Sequence, residues 1–350
     1  MREQPPRVLA VRLDGMGDVL LTGPALRQLA AHSRGLDLLV SPAGAEVARL
    51  LPGVDGVIVA DLPWTGFDPP TADPDALHAL VARLGDGAYD EAVVFTSYHQ
   101  SPLPMALLLK WAGVPRVAAT SDDYPGSLLD LRHRRDGADD DPGTGGAHEV
   151  DAACDLATAA GFPRVAGDDD RLRLTTLGGN AAHPRPYVVV HPSASVPSRS
   201  PSAELARAVV LGLHRDGWDV VVTGAAGDGI ACATGPFATT DLTGRTSLAD
   251  LSEVLAGAAC VVAPNTGPAH LAAAVGTPVV CLFAPVVPVE RWAPRGIPVV
   301  VLGDQDAPCR ATRARTCPVP GHPCLDISPD DVVAAVAELT HRTSEARRSA

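Results

Sequence analysis

The chain has 350 residues, 46% of them apolar and only 4% aromatic, so two domains of ordinary size can form around cores of Val, Leu and Ala. Its formal charge is −13, from 28 basic and 41 acidic residues, which argues against nucleic acid or an anionic membrane as the main partner. Lys110 is the only lysine, so contacts to an anionic ligand fall to arginine forks and backbone N–H groups.

Taken in order, Arg7–Leu13 reads as an apolar strand and Asp18–Ala31 as a helix with an early Pro24. Leu36–Val40, Val57–Val59, Ala92–Phe95 and Arg116–Ala119 read as further strands, with Pro74–Leu84 and Leu103–Trp111 as helices. This alternation predicts a parallel sheet covered by helices on both faces. Residues 132–147, with Gly, Pro and a charge block, read as a mobile loop. Glu149–Ala160 resumes a helix, and residues 161–186 read as the interdomain linker.

The second half restarts with a strand, Tyr187–His191, a helix, Ser202–Arg215, and a strand, Asp219–Thr223. Leu248–Ala256 reads as a helix and Cys260–Ala263 as a buried strand. A tight turn at Pro264–Pro268, a small-residue helix, Ala269–Val275, and a strand, Pro278–Phe283, follow, and Pro329–Leu339 closes the chain as a helix. There is no sequence repeat, yet the halves share a rhythm. The expectation is an α/β protein of two doubly wound, Rossmann-like domains facing across a cleft, with ligands at the strand C-termini. The N-terminal domain would span 1–175 and the C-terminal domain 186–328, with 329–341 as a closing helix.

No apolar stretch reaches transmembrane length, and the N-terminal apolar run is too short for a signal peptide, so a cytoplasmic location is expected. Peripheral contact with a membrane stays open.

Four segments carry candidate chemistry. In VLAVRLDGMGDVLL a strand runs into a loop containing Asp14, Gly15 and Gly17, where glycine lets the backbone turn sharply near a ligand. The segment fails as a dinucleotide fingerprint, because Leu20 stands where a third glycine belongs. Asp18 falls at the helix start; it reads either as a first-turn carboxylate favoured by the helix dipole or as a general base. Asp14 carries the same two readings.

In HPSASVPSRSPSAE a strand ends in a small polar loop. Ser193 and Arg199 there suit phosphate oxygens, and the plain alternative is a linker with Ser202 as a helix N-cap. In VVVTGAAGD a glycine turn precedes Asp228, which reads either as an acceptor for ribose hydroxyls or as part of an ordinary α/β turn. In PNTGPAH, Asn265, Thr266, Gly267, Pro268 and His270 surround a helix start whose N–H groups and dipole favour an anion.

Cys154, Cys232, Cys260 and Cys281 sit in regular patterns and read as small buried hydrophobes. Cys309, Cys317, His322 and Cys324 have the residue types of a tetrahedral zinc site, but C-x7-C-x4-H-x-C is no standard spacing. A disulfide or a thiol-lined loop is the plain alternative, and no metal is expected. The acidic runs Asp139–Asp141 and Asp168–Asp170 read as solvated loops.

Together these segments resemble the heptosyltransferase family, glycosyltransferase family 9. The likeness rests on VLAVRLDGMGDVLLTGPALRQLA, on HPSASVPSRSPSAEL and on DLTGRTSLADLSEVLAGAACVVAPNTGPAHLAAAVGTPVVCLFAP, with the Cys/His loop and LDISPDDVVAAV similar to one subgroup's end. It spans nearly the whole chain and is weakest over residues 60–180. The resemblance implies a GT-B fold whose closing helix crosses back to the first domain. It implies an inverting, metal-independent transfer, without cofactor, from a nucleotide-diphosphate sugar, typically ADP-heptose, to a hydroxyl acceptor: a glycan, glycolipid or small metabolite. By that resemblance Asp18 is the catalytic base and Arg199 neutralises the diphosphate. Asn265, Thr266, Gly267 and His270 line the donor, and Asp228 meets the ribose. The chain departs at Asn265, where many members carry Asp, and at Pro201, where Trp is frequent. A sugar-nucleotide epimerase and a non-catalytic sugar-nucleotide-binding protein are the competing readings on the same architecture.

Overall fold

The structure is a computed structural model that describes residues 4–66, 69–97, 100–135, 146–175, 186–228 and 239–349. The described residues form two compact units, one built from residues up to 175 and one from residues from 186 onward together with Gly146.

The first unit contains strands β1 (Arg7–Arg12), β2 (Gly35–Val40), β3 (Gly56–Val59), β4 (Glu91–Phe95), β5 (Arg116–Thr120) and β6 (Leu131–His133). Its helices are α1 (Met16–Ala31), a single-turn α2 (Ala45–Ala48), α3 (Pro74–Asp86), α4 (Leu103–Trp111) and α5 (Glu149–Ala159). All six strands are parallel, in the order β3-β2-β1-β4-β5-β6. β4 is buried along its whole length and β1 at every position but the first, as expected for a sheet with helices on both faces. One core gathers Leu9, Val11, Val94, Leu84, Met105 and Leu109.

The second unit contains β7 (Tyr187–Val190), β8 (Asp219–Val222), β9 (Thr239–Asp241), β10 (Cys260–Pro264), β11 (Val279–Leu282) and β12 (Val299–Leu302). Its helices are α6 (Ala203–Arg215), α7 (Leu248–Gly257), α8 (Gly267–Ala274), a single-turn α9 (Val289–Trp292) and α10 (Pro329–Ser349). The strands are again parallel, in the order β12-β11-β10-β7-β8-β9, which repeats the connectivity of the first unit. The shared rhythm of the halves is thus a shared topology. α10 runs beyond the expected 329–341 and completes the core of the second unit through Val332, Ala335, Val336 and Leu339.

Three differences from the sequence reading have local causes. The segment 132–147 is no single loop, because β6 joins the sheet edge beside β5; residues 136–145, with Asp139–Asp141, lie outside the described residues. The expected linker begins late, because Phe162 and Leu172 are buried in the first unit. Asp168 is no solvated loop residue: Arg27 on α1 clasps its carboxylate through Nε and NH2, each at 2.7 Å, and holds it below the usual carboxylate range.

In such sheets the strand order reverses at one point, and the strand C-termini there form the natural binding crevice. That point lies between β1 and β4 in the first unit and between β7 and β10 in the second. The candidate residues fall at these two places.

Candidate functional site

In the first unit the centre is Arg12, the last residue of β1, only 3% exposed. A buried guanidinium must be paired, because the desolvation of a lone charge is prohibitive. Arg12 Nε lies 2.8 Å from the Asp14 carboxylate, and NH2 lies 3.1 Å from that of Asp18 and 3.8 Å from that of Glu149. The same NH2 donates to Ser97 Oγ, just past β4, at 3.0 Å, so the cation bridges the reversal point of the sheet. Arg135 supports Glu149 from its other side, with NH1 2.7 Å from the carboxylate.

Asp14 is the buried member of the pair of acids. Burial pushes its carboxyl up to about 6 against the opposing pull of Arg12, while Gln100 donates to its Oδ1. Asp18 is the accessible member, with a quarter of its side chain exposed. It sits in the first turn of α1, where Gly15 occupies the N-cap position. Neither Gly15 nor Gly17 has a positive φ, and a Cβ at Gly15 would meet nothing within 4 Å. The expected sharp glycine turn is therefore ordinary extended-to-helical backbone, and Gly15 leaves open space beside Asp18.

In the second unit, β7 ends at His191 and Ser193. His191 Nδ1 pairs with Thr223 Oγ1 at 3.0 Å, and burial pushes the imidazole down to about 4, so it is neutral at physiological pH. Asp228 accepts from Ser193 Oγ and from the Ala225 N–H at 2.8 Å, which closes the glycine turn. Gly224 is required there: its φ is +158°, and a Cβ would lie 2.9 Å from the Asp228 Cβ.

Arg199 is carried on a single 3-10 turn, Pro197–Arg199, whose middle residue is tethered at three points. The Ser198 N–H donates to Arg315 O at 3.0 Å, its hydroxyl donates to Ala314 O, and His322 Nε2–H donates to Ser198 O at 2.9 Å. The Cys/His loop thus braces the arginine loop. Cys309 and Cys324 are buried core thiols, and no group of three His, Cys, Asp or Glu side chains among the described residues is arranged to hold a metal. Cys154, Cys260 and Cys281 are free buried thiols pushed up to about 12 by burial, as small core residues should be; Cys232 lies outside the described residues. Ser202 is the N-cap of α6, accepting from the Leu205 N–H at 3.0 Å, as the plain reading of this loop expects.

The turn into α8 is narrower as an anion cradle than its sequence suggests. Pro268 has no N–H, and the Ala269 N–H turns back to Thr266 O at 3.1 Å, which leaves the N–H groups of Thr266 and Gly267. Those two residues are partly exposed, whereas His270 and Asn265 are 4% and 3% exposed. Asn265 joins β10 to the end of β11: its Nδ2 donates to Ala284 O at 3.3 Å and its Oδ1 accepts from the Ala284 N–H at 3.2 Å.

Two parallel Rossmann-type units, each with polar residues gathered at its reversal point, have the fold of the GT-B glycosyltransferases. The pattern of glycosyltransferase family 9 (heptosyltransferase) matches residues 78–322, and the chain belongs to that family. It is 31% identical over 323 residues to lipopolysaccharide heptosyltransferase 1 of Pseudomonas aeruginosa PAO1, covering 89% of this chain and 87% of the relative. The fold matches the family 9 glycosyltransferase of Veillonella parvula DSM 2008 with a TM-score of 0.76 at 17% identity, covering 98% of this chain and 99% of the other. It matches ADP-heptose LPS heptosyltransferase II of E. coli with a TM-score of 0.72 at 19% identity, covering 97% and 99%. Among the described residues no helix is long and apolar enough to cross a membrane.

Proposed function

We propose that the enzyme moves a heptose from ADP-heptose to an acceptor hydroxyl in a single, inverting, metal-free displacement. The observation that carries the proposal is the Asp18 carboxylate: partly exposed at the reversal point of the first sheet and held by Arg12 at 3.1 Å. Asp18 takes the proton of the acceptor hydroxyl as that oxygen attacks the anomeric carbon. The new C–O bond forms as the bond to the diphosphate breaks, and the nucleoside diphosphate leaves with the electron pair. Asp14 is buried away from an incoming hydroxyl and serves to hold Arg12, 2.8 Å from its Nε.

The second unit would bind the donor. Arg199 and the N–H groups of Thr266 and Gly267 meet the diphosphate, and their fixed positions favour the charge that builds on it in the transition state. Asn265, His270 and the Ser193–Asp228 pair shape the floor of that site. Asp228 keeps acceptor capacity for a ribose hydroxyl. ADP-heptose as the donor is supported by the likeness to ADP-heptose LPS heptosyltransferase II of E. coli. A nucleotide-sugar donor fits a cytoplasmic enzyme.

The test is to incubate the protein with ADP-heptose, with and without a hydroxyl acceptor, and follow ADP release and the product anomer by NMR. The proposal expects an inverted glycoside, no epimer from donor alone, and unchanged rates after EDTA treatment. A retained anomeric configuration, or an epimer formed from donor alone, contradicts it.

A further inference from the structure

Beside Asp18, and wholly within the first unit, a recess of about 220 Å³ opens at the C-terminal ends of β4 and β5. Its wall includes Ser97, Thr120, Ser121, Asp122, Asp123 and Arg135. The recess lies below the ~300–1,000 Å³ of pockets for drug-sized ligands, so it has room for one sugar residue rather than an oligosaccharide. It is linked to the base through one buried cation: Ser97 Oγ, in its wall, accepts from the Arg12 nitrogen that lies 3.1 Å from Asp18.

The charge of this wall is lopsided. Arg135 is its cation, but NH1 is 2.7 Å from Glu149, whose side chain is 2% exposed, and NH2 donates to Thr96 O at 2.9 Å. The positive charge is therefore neutralised within the protein. Among the described residues its Nε–H is buried without a hydrogen-bond partner, on a side chain only 10% exposed. Such a donor calls for an oxygen acceptor. Asp122 and Asp123, in contrast, are exposed, and among the described residues neither carboxylate has a cation partner. The segment that carries them is fixed by β6: Arg132 Nε donates to Ser121 O at 2.9 Å, and the Ser121 hydroxyl donates to Asp123 O at 3.1 Å. Tyr124, the next residue, is 84% exposed and offers an aromatic face beside the two acids.

A hydroxyl-lined recess with two unneutralised carboxylates attracts a cation and repels an anion, and the −13 charge of the chain acts in the same direction. We infer that this recess receives the acceptor and selects a glycoside bearing an ammonium group over one bearing a carboxylate or a phosphate. The inference rests on the reading of Asp18 as the base that readies the acceptor. The ammonium sits against Asp122 and Asp123, ring hydroxyls bond Ser97 and Thr120, and the hydroxyl to be glycosylated faces Asp18.

The test uses the full chain and four methyl glycosides: a 2-amino-2-deoxyhexoside, its N-acetyl derivative, a hexuronide and a 6-phosphohexoside. Binding is read by saturation-transfer NMR, and ADP release is read with saturating ADP-heptose. The amine should bind at least 10-fold more tightly than the N-acetyl derivative and give the highest kcat/KM, with the two anions weakest. The double substitution Asp122→Asn with Asp123→Asn should close the gap between amine and N-acetyl derivative while leaving donor affinity unchanged. An anionic glycoside that binds as well as the amine, an amine preference that survives the double substitution, or no binding of any of the four overturns the inference. Amine-selective binding without ADP release instead contradicts the catalytic reading of Asp18 and leaves the recess assignment standing, so the two failures are distinguishable.

Discussion

Arg12 lies 3.1 Å from Asp18, and through its Nε it also lies 2.8 Å from Asp14, so one buried cation holds an accessible acid and a hidden one at once. The hidden acid keeps the guanidinium in place, and the guanidinium fixes the accessible one.

Replacing Arg12 removes the shared partner of these acids. Arg12→Met should destabilise the first unit by about 3 kcal/mol near pH 8, because it strands the buried carboxylate of Asp14. The loss should shrink near pH 5, where Asp14, already raised to about 6 with Arg12 present, takes up a proton instead. Urea melts of both proteins at the two pH values check this. Equal losses at both would show that Asp14 does not depend on Arg12.

His191 and Asp14 impose opposite pH dependences. The imidazole falls from 6.5 to about 4 on burial, so its contribution to folding is complete above pH 6.5 and is lost as pH falls toward 4. Its full size is on the order of 3 kcal/mol at 1.36 kcal/mol per unit. Asp14 is raised from 3.8 to about 6, so it favours the folded state increasingly as pH falls through the same window. His191→Gln should therefore flatten the acid limb of a stability–pH curve, and Asp14→Asn should steepen it. Curves that move together would refute the assignment.

The tethered arginine loop separates two effects. Arg199→Ala should raise the donor Kd at least 10-fold with little change in thermal stability, since the side chain is assigned to the diphosphate. His322→Ala removes the donor to Ser198 O, which costs about 1 kcal/mol, and should raise the donor Kd only a few-fold by loosening the loop. Calorimetric titration with ADP and a thermal melt of each variant distinguish the roles.

Asn265→Asp tests the departure from the common family pattern. A carboxylate at this 3% exposed position still accepts from the Ala284 N–H but cannot donate to Ala284 O. The substitution should cost about 2 kcal/mol or more, as an unmet buried carbonyl beside a buried charge implies. Unchanged stability in denaturant would show that the Asn265–Ala284 pair contributes little.

Local chemistry made much of this legible. The buried Val-rich runs of β1, β4, β7 and β10 mark parallel strands, and the glycine–proline turn before α8 marks a helix start at a strand end. The edge strands β6 and β9 are three residues each and lack the apolar run that announces a strand. Arg12 is easily passed over in the sequence because it ends an otherwise apolar segment, although a charge in a fully buried strand signals a pairing requirement. Its partners Ser97 and Glu149 are supplied by separate elements far along the chain, and no local spacing reveals them. The residue types of the Cys/His loop suggest a metal site, whereas its bracing role depends on His322 meeting Ser198, 124 residues away.

The central claim meets its most direct test in Asp18→Asn, which keeps the side-chain shape and removes the proton acceptor. With ADP-heptose and the preferred glycoside, ADP release should fall by about 100-fold or more, while donor affinity stays within 2-fold. Release at the rate of the unaltered protein would contradict the account, because the acceptor hydroxyl would then be readied by some other group.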